Sequence, residues 1–271
     1  MESAPEKSGI AITPPRGRFR RFVLPLFALL ALAASLAGNV RLYQQADQTY
    51  RRLSEVEIDP YGLKHPHFPP DSPAGAAPGL PVVLFFGDSR ALAWPAPNIS
   101  RCRYVNRGVG GQTTEQVRGR FDANVAPLSP RVVILQAGIN DLKAIPLMPH
   151  RRDAIVSDCK ANLHEIVKRA VDGGAIVIIS TIFPTGEVPL ERKLEWSPDV
   201  AKAVQEVNAD LRGLASDRVI VFDAWKTLED RGQLRAGYGL DTLHLSPSGY
   251  AALNGELEMI LNTLIHRLVL R

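Results

Sequence analysis

Cysteine is scarce in this chain: two of 271 residues, Cys102 and Cys159. They form no zinc-type pair. Far apart in sequence, they stand open between a disulfide in an oxidising compartment and two buried free thiols. Net charge is scarce as well. The formal charge is only +4 and much of the basic excess sits at Arg16, Arg18, Arg20 and Arg21, so the remainder lacks the basic footprint of a nucleic-acid-binding domain. Charge is missing altogether from Phe22 to Gly38, FVLPLFALLALAASLAG. A run of about 17 apolar residues reaches the short end of the range for a membrane-spanning helix. The arginines before it predict a cytoplasmic N-terminus, which places the rest of the chain outside the cytoplasm, in the periplasm if the source is a bacterium. Ser35 and Ala37 are small residues at cleavage spacing, so a signal peptide is the rival of an uncleaved anchor, and both put the domain on the same side. What remains, 45% hydrophobic and 22% charged residues, is ordinary for a globular protein with one sizeable core.

Composition divides the chain into a basic tail (1–21), the anchor or signal (22–38), a polar and proline-rich linker (39–78) and a folded domain (79–271). Asn39 to Ile58 carries scattered Leu, Tyr and Val among polar residues and suits a helix leaving the membrane. From Asp59 onward, Pro60, Pro66, Pro69, Pro70, Pro73 and Pro78 forbid long regular structure and suit a spacer or a segment laid along the domain surface. His65 and His67 lie here. An H-x-H pair alone is a weak metal signal, and solvated linker histidines account for it.

The folded part is organised around PVVLFFGDSRAL, Pro81 to Leu92. The unbroken apolar run Val82 to Phe86 predicts a strand covered on both faces. Gly87 permits a bend and a helix begins near Arg90, so Ser89 falls at a strand-to-helix turn, where free backbone N–H groups point at any developing negative charge. The pattern then repeats. Tyr104 and Val105 lead into the turn Asn106 to Gly111, followed by a helix from Gln112 to Phe121 capped by Thr113 or Thr114. Further strands are read at Arg131 to Gln136, Ala175 to Phe183 and Arg218 to Phe222, and helices at Ser157 to Val171, Ser197 to Ala215 and Ser246 to Leu270. This alternation predicts a mostly parallel sheet with helices on both faces.

A lone Gly-Asp-Ser is a turn with an N-cap, and a serine becomes a nucleophile only with a base. Asp241 and His244 supply one: three apart on a turn, the carboxylate can hold one imidazole nitrogen while the other faces Ser89. An acyl-transfer intermediate also needs donors at its oxyanion. The backbone N–H groups of Ser89 and Gly111 and the side-chain amide of Asn140, each at a strand end, can provide them, with Gly110 as the alternative to Gly111. Asp223 follows a strand and reads as a cap before it reads as a second triad acid. His150, His164 and His266 have no matching partners. Trp94, Trp196 and Trp225 either line a cleft or fill the core.

Four blocks in order, Gly87 to Arg90, Asn106 to Gly111, Gly138 to Asp141 and Asp241 to His244, resemble the SGNH or GDSL-type hydrolase family over about Pro81 to Leu270. The resemblance implies a flavodoxin-like three-layer α/β/α fold. It also implies a serine esterase, acyl hydrolase or acyltransferase that needs no metal or cofactor. Arg90 departs from the apolar residue common after the nucleophile, so it either binds an anion at the site mouth or folds over the surface by its aliphatic stem. The expected protein is a membrane-tethered esterase acting on short acyl esters, acetyl above all, of a saccharide. Arg90, Arg107, Gln112, Thr113 and Thr114 beside the motifs suit a polar alcohol portion. The rivals are an O-acyltransferase to an envelope glycan, a lysophospholipase or thioesterase, and a non-catalytic envelope module.

Overall fold

The computed structural model describes residues 17–64, 68, 79–190, 193 and 196–269. Most of the basic tail, His65, His67 and the later linker prolines lie outside the described residues. The chain divides into two compact units, Met1–Ile58 and Asp59–Arg271. The first holds one helix, α1 (Gly17–Ile58), 42 residues long with Pro25 inside it. The apolar run and the polar stretch after it are therefore one helix. Gly38 at their junction is only a weak breaker, worth about 1 kcal/mol. From Val23 this helix is long and apolar enough to cross a membrane, a test that a signal sequence also passes.

In the second unit strands alternate with helices. β1 (Val82–Gly87) runs into α2 (Ser89–Leu92), and β2 (Arg103–Gly108) into α3 (Thr114–Gly119) and α4 (Phe121–Asn124). β3 (Val132–Gln136) leads to α5 (Ile139–Leu142) and α6 (Arg152–Asp172), and β4 (Ile176–Ser180) to α7 (Pro198–Arg212). β5 (Val219–Phe222) leads to α8 (Ala224–Leu228), the ribbon β6 (Glu229–Asp230) and β7 (Gln233–Leu234), and the closing helix α9 (Pro247–Val269). The main sheet has the order β2-β1-β3-β4-β5 with every neighbour parallel. This is the expected flavodoxin-like α/β/α architecture.

Side-chain alternation sorts each strand between two apolar layers. Leu84, Phe86, Val133, Leu135, Val177 and Ile179 pack on one face with Val117, Leu163 and Val204 of α3, α6 and α7. Val83, Phe85, Ile134 and Ile178 pack on the other with Trp94 and with Leu253, Leu257 and Leu261 of α9. Both faces are covered, which is why the strands read as continuous apolar runs. Cys159 lies in the first layer and Cys102 in the second, both buried and free. The sheet separates them. Trp94 fills the core, its ring centroid 5.7 Å from that of Phe183 and 5.8 Å from that of Phe85. Trp225 is also buried.

Helix starts follow local chemistry. Thr113 and Gln116 form a capping box at α3, and Ser197 caps α7 with Pro198 in its first turn. β1 has β2 on one side and β3 on the other, so the chain switches direction across the sheet at its carboxyl end. That switch point is where open α/β sheets form their crevice, and Ser89 stands there.

Candidate active site

The serine turn is built by close approach. Gly87 has φ +148°, and a Cβ there would lie 1.8 Å from the Gln136 carbonyl oxygen, so no side chain fits. The Asp88 N–H donates to that same oxygen at 3.0 Å. Asp88 Oδ1 accepts from the Arg90 N–H at 2.8 Å and caps α2, leaving Ser89 as its first residue. Four residues make a poor helix alone, and neighbours hold this one. Asn106 Nδ2 donates to the carbonyls of Ala91 (2.9 Å) and Leu92 (3.2 Å), and the Tyr250 hydroxyl donates to the Arg90 carbonyl at 2.9 Å.

The partner turn is fixed by its own carboxylate. Asp241 Oδ1 accepts from the backbone N–H groups of Leu243 (2.7 Å) and His244 (2.8 Å). Asp241 Oδ2 lies 2.8 Å from His244 Nδ1, and His244 Nε2 lies 3.1 Å from Ser89 Oγ. Partial burial pushes the Asp241 carboxyl up, but the hydrogen bonds from the His244 ring and the two N–H groups outweigh it and hold the group below its ordinary value. An ionised Asp241 accepts a hydrogen bond from Nδ1–H, which keeps the proton on Nδ1 and leaves Nε2 to accept from the serine hydroxyl. The structure thus brings Ser89, Asp241 and His244 into one hydrogen-bonded chain.

Gly110 and Gly111 pass beside this chain. A Cβ on Gly110 would lie 4.0 Å from Ser89 Cβ, and Gly111 has φ +78°. Asn140, 6% exposed, donates through Nδ2 to the Gln112 carbonyl at 2.9 Å. Its amide has a second N–H. Beside it, Asp141 accepts from the Thr114 N–H at 2.9 Å and from the Thr114 hydroxyl at 2.7 Å, tying the β3 turn to α3.

Arg90 takes neither place weighed from the sequence. It is 1% exposed, beneath the site rather than at its mouth. Its Nε donates to the Leu243 carbonyl at 2.8 Å, its Nη1 to the Phe183 carbonyl at 3.3 Å, and its guanidinium lies 5.0 Å from the Phe183 ring centroid. Burial lowers its pKa to about 10, against the pull of Asp88. Gln112 and Thr114 are likewise buried and engaged, and Thr113 caps α3. The Arg107 guanidinium lies 4.7 Å from the Phe68 ring centroid. Asp223 is a cap: it accepts from the Lys226 N–H and pairs with Arg212 at 3.0 Å. His164 pairs with Asp210 on the surface, and His150 and His266 are exposed.

One residue that the sequence reading missed is Arg120, fully buried. It donates to Gln112 Oε1 (2.6 Å) and to the carbonyls of Arg107 (2.7 Å) and Gly87 (2.7 Å), with its guanidinium 4.4 Å from the Phe86 ring centroid. Nothing in a polar helix marks one arginine as buried when its acceptors are backbone carbonyls distant in sequence.

Fold and site together define an α/β/α protein with Ser89, His244 and Asp241 hydrogen-bonded in series at the sheet's switch point. The chain belongs to the GDSL-like Lipase/Acylhydrolase family, whose model matches residues 74–252. It is accordingly a carboxylic ester hydrolase. No curated protein sequence matches the chain. Several solved structures share its fold. A GDSL-like lipase from Bacteroides thetaiotaomicron is 21% identical with a TM-score of 0.56, over 68% of this chain and 88% of its own. The acetyl xylan esterase AlAXEase is 18% identical with a TM-score of 0.54, over 66% and 98%. The acetylxylan esterase Axe2 from Geobacillus stearothermophilus is 19% identical with a TM-score of 0.51, over 64% and 90%.

Proposed function

We propose that this protein is a serine esterase that removes short acyl groups, acetyl above all, from a saccharide or related ester outside the cytoplasm. The observation that carries the reading is the chain from Asp241 Oδ2 through His244 to Ser89 Oγ, at 2.8 and 3.1 Å. Ser89 Oγ attacks the ester carbonyl as His244 Nε2 takes its proton, and the carbonyl electrons move onto the oxygen. The backbone N–H groups of Ser89 and Gly111 and the Asn140 amide meet that oxyanion. Collapse expels the alcohol, which leaves with the proton from His244. Water then gives a proton to His244 and attacks the acyl-enzyme; the second intermediate collapses to release the acid as His244 returns the proton to Ser89 Oγ.

The acetyl and saccharide half of the reading draws on the openness of the site. Asp241 and the Gly110–Gly111 turn are exposed, and Ser89 and His244 are half-buried, so a bulky alcohol can remain in solvent while a small acyl group meets the serine. Two of the structures with this fold are described as acetylxylan esterases. One observation favours a second reading: Leu240, 75% exposed and next to Asp241, offers apolar contact to a longer acyl chain, as in a lysophospholipase.

A series of p-nitrophenyl esters from acetyl to palmitoyl, beside O-acetylated glycans and lysophospholipids, separates the two. Acetyl esters should give the highest kcat/KM, and Ser89→Ala should abolish both turnover and labelling by a serine-directed phosphonate. Higher kcat/KM for long chains would install the second reading, and full activity in Ser89→Ala would remove the mechanism. Slow release of acetate until a glycan acceptor is added would make the protein a transferase.

A further inference from the structure

Gln112 sits next to Gly111, is 5% exposed, and is engaged on three sides. Oε1 accepts from Arg120 Nε at 2.6 Å, Nε2 donates to the Tyr61 carbonyl at 2.9 Å, and the backbone carbonyl accepts from Asn140 Nδ2 at 2.9 Å. One residue therefore joins the Asn140 amide to the buried arginine that grips the end of β1, and to a segment more than forty residues upstream. That segment has a built form. The Asp59 carboxylate accepts from the N–H groups of Leu63 (3.0 Å) and Lys64 (2.7 Å), and the Gly62 N–H returns to the Asp59 carbonyl at 3.0 Å. It is fastened to α3 as well. Gln116 Nε2 donates to the Pro60 carbonyl at 2.8 Å. The Tyr61 ring is seated over Gly119, where a Cβ would come within 2.2 Å of Tyr61 Cε1.

We propose that Asp59–Lys64 is a positioning strap for the oxyanion side of the site, and that Gln112 is the positioning residue through which it acts on Asn140. The inference rests on the reading of Asn140 as an oxyanion donor. With the strap seated, the Gln112 side chain is held at both ends. Its carbonyl then fixes one N–H of Asn140, which orients the other. With the strap lifted, Gln112 keeps only Arg120, the loop gains freedom, and the amide loses alignment with a charge that exists only in the transition state. Such a loss lowers kcat and leaves KM nearly unchanged.

The test uses the full chain and p-nitrophenyl acetate, with phosphonate labelling of Ser89 to show that each variant retains a folded site. Tyr61→Ala removes the seated ring, and Gly119→Ala unseats it from the other side. Gln112→Glu keeps the acceptor for Arg120 but sets an oxygen against the Tyr61 carbonyl. Each should lower kcat roughly three- to tenfold, less than loss of the donor itself, with KM within about twofold. Tyr61→Phe, which keeps the ring and the carbonyl, should match the parent protein. Because the strap acts through Asn140, Tyr61→Ala combined with Asn140→Ala should be no slower than Asn140→Ala alone. If Asn140→Ala lowers kcat while the strap variants do not, or if the two effects multiply, the strap role is overturned. An unchanged kcat in Asn140→Ala would overturn the oxyanion reading itself, and the strap role with it. Should Gly119→Ala fail to fold, Tyr61→Ala and Gln112→Glu decide.

Discussion

An arginine with 1% exposure directly after Ser89 must find partners inside the protein, because an unpaired buried cation costs several kcal/mol. Arg90 places Nε on the Leu243 carbonyl and Nη1 on the Phe183 carbonyl, while Nη2 is buried without a hydrogen-bond partner among the described residues. Leu243 precedes His244, so this side chain ties the serine turn to the histidine turn across the site, and the 3.1 Å Ser89–His244 contact is held from beneath. An apolar residue in its place would fill the space without the tie. Arg90→Leu should therefore lower kcat for p-nitrophenyl acetate roughly ten- to hundredfold, the scale expected for a misplaced reacting group, with KM little changed. Arg90→Lys should not restore it, since a single ammonium lacks the fork that reaches two carbonyls. Steady-state kinetics of both variants check this, and a parental kcat in Arg90→Leu would show that the two turns need no such tie.

At the scale of elements, the β1–α2 connection carries a titration. Asp88 caps α2 with Oδ1 and is fully buried, and burial pushes its carboxyl up to about 6, against the opposing pull of Arg90. A raised folded-state value means that the native protein binds this proton more tightly than the unfolded chain does. Its contribution to stability is present below the unfolded value near 4 and is lost as pH rises through about 6. Tm should fall by a few degrees between pH 4.5 and 7.5 on this account, and Asp88→Asn, which imitates the protonated form, should flatten that slope. An equal slope in the variant, measured by thermal melts across the range, would assign it elsewhere. The central elements were legible because both faces of the sheet are covered, so β1, β3, β4 and β5 appear as apolar runs punctuated by caps such as Ser197 and Thr113. β2 is longer than its apolar pair Tyr104–Val105 suggests, since Asn106 and Arg107 continue the strand while their side chains serve α2 and Phe68. The ribbon β6–β7 has two residues per strand, too few for any period. At the site, a serine at a strand-to-helix turn and an aspartate and histidine three apart on the turn before the last helix pointed to Ser89, Asp241 and His244, whereas the burial of Arg90, Gln112 and Arg120 depends on carbonyl acceptors that no residue type announces.

For the whole molecule, the long helix bears on where the esterase works. At 1.5 Å per residue, the 42 residues of α1 extend about 63 Å, roughly twice the hydrocarbon thickness of a bilayer. A membrane can therefore take only part of it, and the uncharged stretch Phe22 to Gly38 is the part without charge to desolvate. The next charged residue is Arg41, and the helix beyond it is polar and exposed. Arginines at 16, 18, 20 and 21 precede the apolar stretch and predict an N-terminus on the cytoplasmic side. The full-length protein should stay with membranes after a high-salt wash, because burial of apolar surface, unlike adhesion between charges, is not screened by salt. A reporter joined after Arg271 should be active only outside the cytoplasm. A soluble product beginning near Gly38 would show that the same stretch is a cleaved signal, and a reporter active in the cytoplasm would reverse the topology and remove envelope esters from the substrates within reach.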